Sequence, residues 1–177
     1  MLLHRRVWAG VFVAALAAGS LAAQDRTAEL RARFQKEQDS VRKARLVAPL
    51  ADAEFRDMHA KIDAGDLAAA AEIAGHVRDE AQASKKSLDT KSRDAEAHPE
   101  GYKQLEISVR ESIRRLDDIM VSLAKDDQKP LAEVRAELET LDREMIHRLF
   151  PKRPGASPGA GVAPAATTAP EADKPKS

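Results

Sequence analysis

Apolar residues recur along most of this chain at intervals of three and four, the spacing that places side chains on one face of an α-helix. The most regular series begins after Gly65-Asp66 and comprises Leu67, Ala70, Ala74, Val77, Ala81, Ser84 and Leu88. Its steps of three and four alternate without a slip, which is the heptad spacing of a coiled-coil seam. The sequence has no sustained alternation of apolar and polar residues, the signature of a half-buried strand. The pattern therefore predicts an all-α fold.

Prolines and one glycine divide this pattern into separate helices. Pro49, Pro99 and Pro130 each stand where one apolar series stops and another begins, as expected for proline in the first turn of a helix. Gly65 suits the position just after a helix end, and Asp66 suits the N-cap of the next helix. We therefore expect a small helical bundle, or an array of helical hairpins, with about five amphipathic helices. The predicted helices cover residues 26–48, residues 50–63, a stretch from residue 67 onward, residues 99–124 and residues 130–150.

The apolar face of each predicted helix identifies the side chains expected in the core. Besides the series in the third helix, they are Leu30, Phe34, Val41, Ala44, Phe55, Met58, Ile62, Tyr102, Leu105, Val109, Ile113, Leu116, Met120, Leu123, Leu131, Val134, Leu138, Leu141 and Met145. The third helix differs from the others because its face is rich in alanine, which buries little area per residue. Another copy of the protein could cover that face, so a homo-oligomer is possible.

The N-terminal segment has the three parts of a secretory signal peptide. Arg5-Arg6 supplies positive charge, residues 7–16 are almost entirely apolar, and small residues follow them. The apolar run is short for a membrane span. We expect this segment to direct export to an extracytoplasmic location, the periplasm or the exterior, with cleavage after Ala23 and no stable membrane span in the product. Cleavage after Ala22 and retention as an N-terminal anchor are the alternatives.

The composition of the chain changes sharply at residue 151. Six of the nine prolines lie in residues 151–177, where they alternate with glycine and alanine and no apolar periodicity remains. Such a segment cannot bury enough apolar surface to offset the entropy of ordering it. The predicted organisation is a signal peptide over residues 1–23, an all-helical domain over residues 24–150 and a disordered tail over residues 151–177.

Charge and residue usage disfavour several classes of function. Without the signal peptide, 27 basic side chains remain against 29 acidic ones, a balance that gives no general attraction for nucleic acid. The sequence contains no cysteine, so disulfides, thiolate metal ligands and a lipid-modified cysteine anchor are excluded.

Seven acid–base pairs stand four residues apart with the acid first, the favoured direction along a helix. They are Asp39/Lys43, Asp52/Arg56, Asp57/Lys61, Glu106/Arg110, Glu111/Arg115, Glu139/Arg143 and Glu144/Arg148. These pairs predict charged helix faces that are exposed to solvent.

Two groups of side chains are candidates for a metal site. Glu144 and His147 form a Glu-x-x-His step, which di-iron helical bundles use twice together with further glutamates, but this sequence has it once. Glu72, His76 and Glu80 follow one another at intervals of four and could hold a divalent ion weakly. For both groups the favoured interpretation is ordinary surface side chains, so we expect no cofactor.

Motifs that carry catalysis are not found in the sequence. It has no Gly-x-Ser-x-Gly nucleophile elbow and no glycine-rich phosphate loop. The adjacent carboxylates Asp117 and Asp118 point in different directions on a helix, so both cannot face one substrate. These observations favour a protein that is not an enzyme.

One segment resembles a helical hairpin of the tetratricopeptide-repeat type. Phe55, Met58 and Ile62 precede Gly65-Asp66, and the alanine-rich helix follows. The resemblance covers about forty residues, its second helix continues past the proline usual in these repeats, and no second copy follows at a fixed period. It implies antiparallel packing of the two helices and carries no functional residues.

The sequence as a whole favours an exported, non-enzymatic helical protein that acts through contact with a protein partner. The alternative is a periplasmic metal or small-ligand binder that uses the interior of the bundle. An enzyme whose carboxylates converge only in three dimensions is a third interpretation.

Overall fold

The computed structural model describes residues 25–91 and 95–151 of the chain. These ranges contain α1 (residues 25–36), α2 (Ser40–Asp63), α3 (Leu67–Lys91), α4 (Glu100–Ser122) and α5 (Lys129–Leu149), and they contain no strand. The all-α prediction is therefore confirmed. The predicted signal peptide, and the predicted tail beyond Pro151, lie outside the described residues.

The four longer helices form two antiparallel hairpins that pack against each other. One hairpin is α2 with α3, and the other is α4 with α5. Between the hairpins α2 packs on α4 and α3 packs on α5, while α3 also touches α4 across the diagonal. The shorter α1 lies on the first hairpin, where Phe34 joins the common core. None of the described helices is long and apolar enough to span a membrane.

The turn between α2 and α3 forms as the sequence predicts. Gly65 has φ of +76°, a left-handed conformation that glycine adopts without steric cost. Its N–H bonds the carbonyl of Ile62 at 2.9 Å, and the N–H of Asp66 bonds the carbonyl of Lys61 at 2.8 Å. These two bonds make a Schellman motif. The carboxylate of Asp66 then accepts from the N–H of Ala69 at 3.2 Å, so it caps the start of α3 and the antiparallel hairpin is confirmed.

The predicted boundary at Pro49 is wrong, because α2 continues through this proline. The buried side chains on either side of it, Val47 and Leu50 among them, form one continuous face, and this packing outweighs the backbone bond that proline removes. The true boundary is ten residues earlier, at Asp39. Its carboxylate caps α2 by accepting from the N–H of Arg42 at 2.8 Å, and this bond holds the pKa of Asp39 below its ordinary value.

The core contains the side chains that the apolar pattern predicts. Most of the predicted positions are buried, while Leu30, Val41, Ile62, Ile113, Met120 and Leu123 are partly buried against the same cluster. The small side chains of α3 are covered within the chain: Ala70, Ala74, Ala81 and Ser84 are at most 1% exposed. A second copy is therefore not needed to cover this face. The coiled-coil interpretation of the series stays a prediction.

A close contact between α3 and α4 depends on Gly101. A Cβ at this position would overlap the side chain of Leu88 and touch that of Val41 at 3.4 Å. Next to it, the hydroxyl of the fully buried Tyr102 donates to Asp89 at 2.8 Å. The absence of a side chain at Gly101 lets α4 approach α3 closely at this end of the bundle.

The predicted ion pairs within single helices are largely replaced by pairs between helices. The structure forms Glu106–Arg110 and Glu111–Arg115, while other members of the predicted set find partners elsewhere. The pairs that join two helices include Arg115–Asp52 at 2.7 Å, Lys85–Glu144 at 3.0 Å, Arg78–Glu137 at 3.4 Å, Arg148–Asp89 at 3.6 Å and Arg135–Asp117. Long charged side chains at the edge of a helix reach the neighbouring helix as easily as their own next turn.

Candidate functional site

Glu54 is a carboxylate without exposed surface, placed on the inner face of α2. It lies one turn after Leu50 and one turn before Met58, both of which are fully buried. An ionised carboxylate in such surroundings is costly unless a positive charge and hydrogen bonds compensate for lost water.

Arg31 of α1 supplies that compensation. Its Nη2 donates to Oε1 of Glu54, and its Nε donates to Oε1 of Glu80 in α3 at 3.2 Å. The same Nη2 lies 3.1 Å from Nδ1 of His76, which can accept from it. One guanidinium thus ties three helices together. We call these four residues the Arg31 cluster.

The Arg31 cluster holds two carboxyl groups whose pKa values are raised. Burial, and then the negative charge of Glu80, raise the pKa of Glu54 to about 8. Burial raises the pKa of Glu80 as well, by more than the hydrogen bond and charge of Arg31 lower it. With Glu54 protonated, the cluster holds one cation and one anion. Oε2 of Glu54 has no hydrogen-bond partner among the described residues, which makes the ionised carboxylate costly at this position.

A small pit opens beside the Arg31 cluster. Its volume is about 200 Å³, enough for several water molecules or a small ligand. The lining consists of Thr27, Ala28, Arg31, Glu54, Asp57, Ile73 and His76. Its charged groups are one cation, Arg31, and two carboxyl groups, Glu54 and Asp57.

The structure brings together two of the predicted metal ligands. His76 and Glu80 meet in the Arg31 cluster, but they meet around a guanidinium, which carries the positive charge that a metal would bring. Glu72 is exposed on α3, and His147 is exposed on α5. Glu144 pairs with Lys85 at 3.0 Å. Within residues 25–91 and 95–151, no three His, Cys, Asp or Glu side chains are placed to hold one ion.

Arg31 and Glu54 were not predicted as site residues, because the charge pattern of the sequence favours solvated helix faces. A signal for Glu54 was nevertheless present. It continues the spacing of Val47, Leu50 and Met58, so it occupies a position where an apolar residue is expected. A carboxylate at such a position predicts a buried charge that needs a partner.

A second feature is the open groove between α3 and α5, which we call the α3/α5 groove. Its volume is about 640 Å³, and it is lined by Gln82, Lys85, Lys86, Asp89, Ala136, Glu137, Thr140, Leu141 and Glu144. Its apolar lining consists of the exposed Ala136 and the edge of Leu141, a core residue that is 6% exposed. On the α3 side the lining carries Lys85, Lys86 and Asp89, and on the α5 side it carries Glu137 and Glu144.

Ion pairs join the two walls of the α3/α5 groove. Lys85 meets Glu144 at 3.0 Å, and two turns earlier in α3 Arg78 meets Glu137 at 3.4 Å. Glu137 and Glu144 are about half exposed in these pairs, whereas Lys85 is only 16% exposed and also donates to Asp89 at 2.9 Å. The two glutamates and the exposed Lys86 are therefore the charges of the groove that a partner can reach most easily.

Comparison with known proteins gives no relative: no family matches this sequence, and no curated protein or solved structure is similar to it.

Proposed function

We propose that this is an exported, non-enzymatic helical protein that acts by holding an amphipathic helical segment of a partner protein in the α3/α5 groove. The observation that supports this proposal is the groove itself, which has a volume of about 640 Å³, exposes Ala136 and the edge of Leu141, and carries two lysines on its α3 side and two glutamates on its α5 side. Helix-in-groove binding is a recurring mode of protein recognition, and it uses these elements.

The charges of the α3/α5 groove specify the kind of partner helix. Its apolar residues would cover Ala136 and Leu141. Acidic residues on one flank would meet Lys85 and Lys86, and basic residues on the other flank would meet Glu144. Binding would break the Lys85–Glu144 ion pair, and each of these two side chains would then form an ion pair with the partner helix. Complementary charge of this sort fixes orientation and selects among partners more than it adds affinity.

The proposed place of action is outside the cytoplasm. This part of the proposal rests on the N-terminal sequence, where Arg5-Arg6 precedes the apolar residues 7–16 and a run of small residues. Mass spectrometry of the protein recovered from the extracytoplasmic fraction tests it. A mature N-terminus at Gln24 or Ala23 is expected, and recovery of the intact chain from the cytoplasm alone would contradict export.

Substitution within the α3/α5 groove tests the proposed contact. Ala136→Arg places a long cation on the apolar surface, whereas Ala132→Arg makes the same change one turn earlier in α5, at an exposed position outside the groove. Both variants should melt within a few degrees of the unchanged protein. We expect the unchanged protein and Ala132→Arg to retain the same partner from an extracytoplasmic extract, and Ala136→Arg to lose it. Equal retention by both variants, or no retained protein at all, would contradict the proposal.

The pit beside the Arg31 cluster favours one alternative, a binder of a metal or small ligand. In that case millimolar Zn²⁺ or a small cationic ligand should raise the melting temperature by several degrees, and His76→Ala should abolish the rise. The leading proposal predicts no rise in either protein.

A further inference from the structure

A second groove lies at the turn between α1 and α2, and it shares no lining residue with the pit beside the Arg31 cluster. We call it the elbow groove. Its volume is about 590 Å³, and four of its seven lining residues are basic: Arg33, Lys36, Arg42 and Arg45. The whole chain has equal numbers of acidic and basic residues, so this groove concentrates positive charge that is balanced elsewhere in the molecule.

The acidic groups at the elbow groove are already occupied. Asp39 caps α2, and Glu37 accepts from the N–H of Asp39 at 2.8 Å while it pairs with Arg42 at 3.4 Å. Arg33 and Lys36 have no acidic partner in the described part of the chain. Two of the four cations therefore face the groove without compensation.

The remaining cations of this region hold the turn in place. Lys43 lies over the ring of Phe34 at 4.7 Å from its centre, and Nζ of Lys91 donates to the carbonyl of Gln38. Arg45 reaches Glu100 only at 3.8 Å, with both side chains more than half exposed. This pair is weak, so Arg45 can turn toward a ligand in the groove.

Arg42 and Lys43 stand close to the start of α2, where cations are unfavourable because the N-terminal end of a helix is its positive end. Asp39, which caps this end, and Glu37, which pairs with Arg42, offset part of that cost. An anionic ligand in the elbow groove would offset more of it.

We infer that the elbow groove binds an acidic segment of a protein partner, with an apolar side chain between its carboxylates. The guanidinium groups of Arg33, Arg42 and Arg45 match carboxylates in paired hydrogen bonds. The half-buried Leu46 lies among them and packs against the core. A peptide can use that apolar contact together with the cations, whereas a phosphate or a sulfated sugar would leave it uncovered. This selects a peptide over other anions.

This inference stands apart from the proposed function, because the elbow groove involves α1 and α2 whereas the α3/α5 groove does not. Either surface can bind without the other. Ala136→Arg leaves the elbow groove intact, so loss of one interaction is distinguishable from loss of the other.

Fluorescence anisotropy with the labelled peptide Glu-Glu-Glu-Leu-Glu-Glu-Glu tests the inference. The double variant Arg33→Gln/Lys36→Gln removes the two uncompensated cations. The control Lys125→Gln/Lys129→Gln removes the same charge from two exposed lysines near the turn between α4 and α5. We expect the first variant to bind at least about tenfold more weakly than the unchanged protein, and the control to bind within about twofold of it. Replacing the leucine of the peptide with serine should also weaken binding.

Three results would overturn the inference. The first is equal weakening in both double variants, which indicates attraction to net charge alone. The second is equally tight binding of the peptide and of its variant with serine in place of leucine. The third is tighter binding of tripolyphosphate, heparin or anionic lipid vesicles than of the peptide, lost in Arg33→Gln/Lys36→Gln, which would assign the groove to a non-peptide anion.

Discussion

Arg31 of α1 donates a hydrogen bond to the fully buried carboxyl group of Glu54 in α2. This contact attaches a short helix to the bundle through a polar interaction, although most side chains of the core are apolar. Because Glu80 of α3 shares the same guanidinium at 3.2 Å, the attachment depends on how many protons the two carboxyl groups hold. The Arg31 cluster should therefore make the stability of the fold depend on pH.

The free energy of unfolding should fall as the pH rises from about 5 to about 8. In the unfolded chain Glu54 loses its proton near its ordinary pKa of 4.5, whereas in the folded protein its pKa is about 8. Between these values only the folded state keeps the proton, so stability decreases by up to about 1.4 kcal/mol per pH unit and levels off above pH 8. Urea unfolding at a series of pH values measures this slope. The pKa values of Asp39 and Asp89 are lowered, so these two groups change the free energy of unfolding only at pH values below about 5.

Glu54→Gln should flatten this pH dependence without unfolding the protein. The glutamine amide is neutral like the protonated glutamic acid, and its oxygen can accept from Arg31. At pH 8 the variant should therefore be at least as stable as the unchanged protein. Glu133→Gln, at an exposed position of α5, is the control and should keep the original slope. If the free energy of unfolding of Glu54→Gln falls with pH as steeply as that of the control, the raised pKa of Glu54 is wrong.

Arg31→Ala should destabilise the protein by about 3 kcal/mol, because it leaves two buried carboxyl groups without a cation. The value lies at the lower end of the usual range for a broken buried pair because Arg31 is about one-third exposed. Arg33→Ala removes the same side chain two residues later, at an exposed position, and should change stability by less than about 0.5 kcal/mol. Chemical denaturation at neutral pH compares the two. Equal effects would show that the cluster contributes nothing specific.

Two glycine substitutions should act in opposite directions. Gly101→Ala places a methyl group against the buried Leu88, so it should cost about 1–3 kcal/mol. Gly75→Ala lies within α3, where the nearest atom, Nη2 of Arg78, is 3.8 Å away. It should stabilise the protein by about 0.5–1 kcal/mol, since alanine favours the helix. Thermal unfolding of both variants is the measurement, and a Gly101→Ala protein as stable as Gly75→Ala would refute the close contact of α3 and α4.

The single tyrosine of the chain provides a spectroscopic test of the α3–α4 contact. Burial, and then the hydrogen bond to Asp89, raise the pKa of Tyr102 to about 12. A spectrophotometric titration should therefore show ionisation of the phenol near pH 12 in the folded protein. Asp89→Asn should bring the midpoint closer to 10, and Asp118→Asn, at an exposed position of α4, should not. Ionisation near pH 10 with the helical circular dichroism intact would contradict the buried hydrogen bond.

The features that the sequence predicted correctly are those decided by neighbouring residues. Gly65 and Asp66 end one helix and begin the next through bonds to residues at most five positions away. The apolar periodicity of α3, α4 and α5 likewise predicted the faces that are buried. Local signals of this kind do not depend on how the helices are arranged.

The features that the sequence did not predict depend on contacts between distant residues. Pro49 was expected to end a helix, but the continuous apolar face of α2 packs against α3 and α4 and carries the helix through it. Arg31 meets Glu54 and Glu80 across separations of 23 and 49 residues. The α3/α5 groove also exists only once the two hairpins have packed. No periodicity within one helix contains that information.

The central claim, that the α3/α5 groove holds a partner protein outside the cytoplasm, is tested most directly by photocrosslinking in living cells. A photoreactive amino acid replaces Thr140, which lines the groove, or Ala132, which is exposed outside it. The account predicts a crosslinked product with one partner from position 140, in the extracytoplasmic fraction, and none from position 132. The absence of a product from position 140, the same product from both positions, or a product confined to the cytoplasm would contradict it.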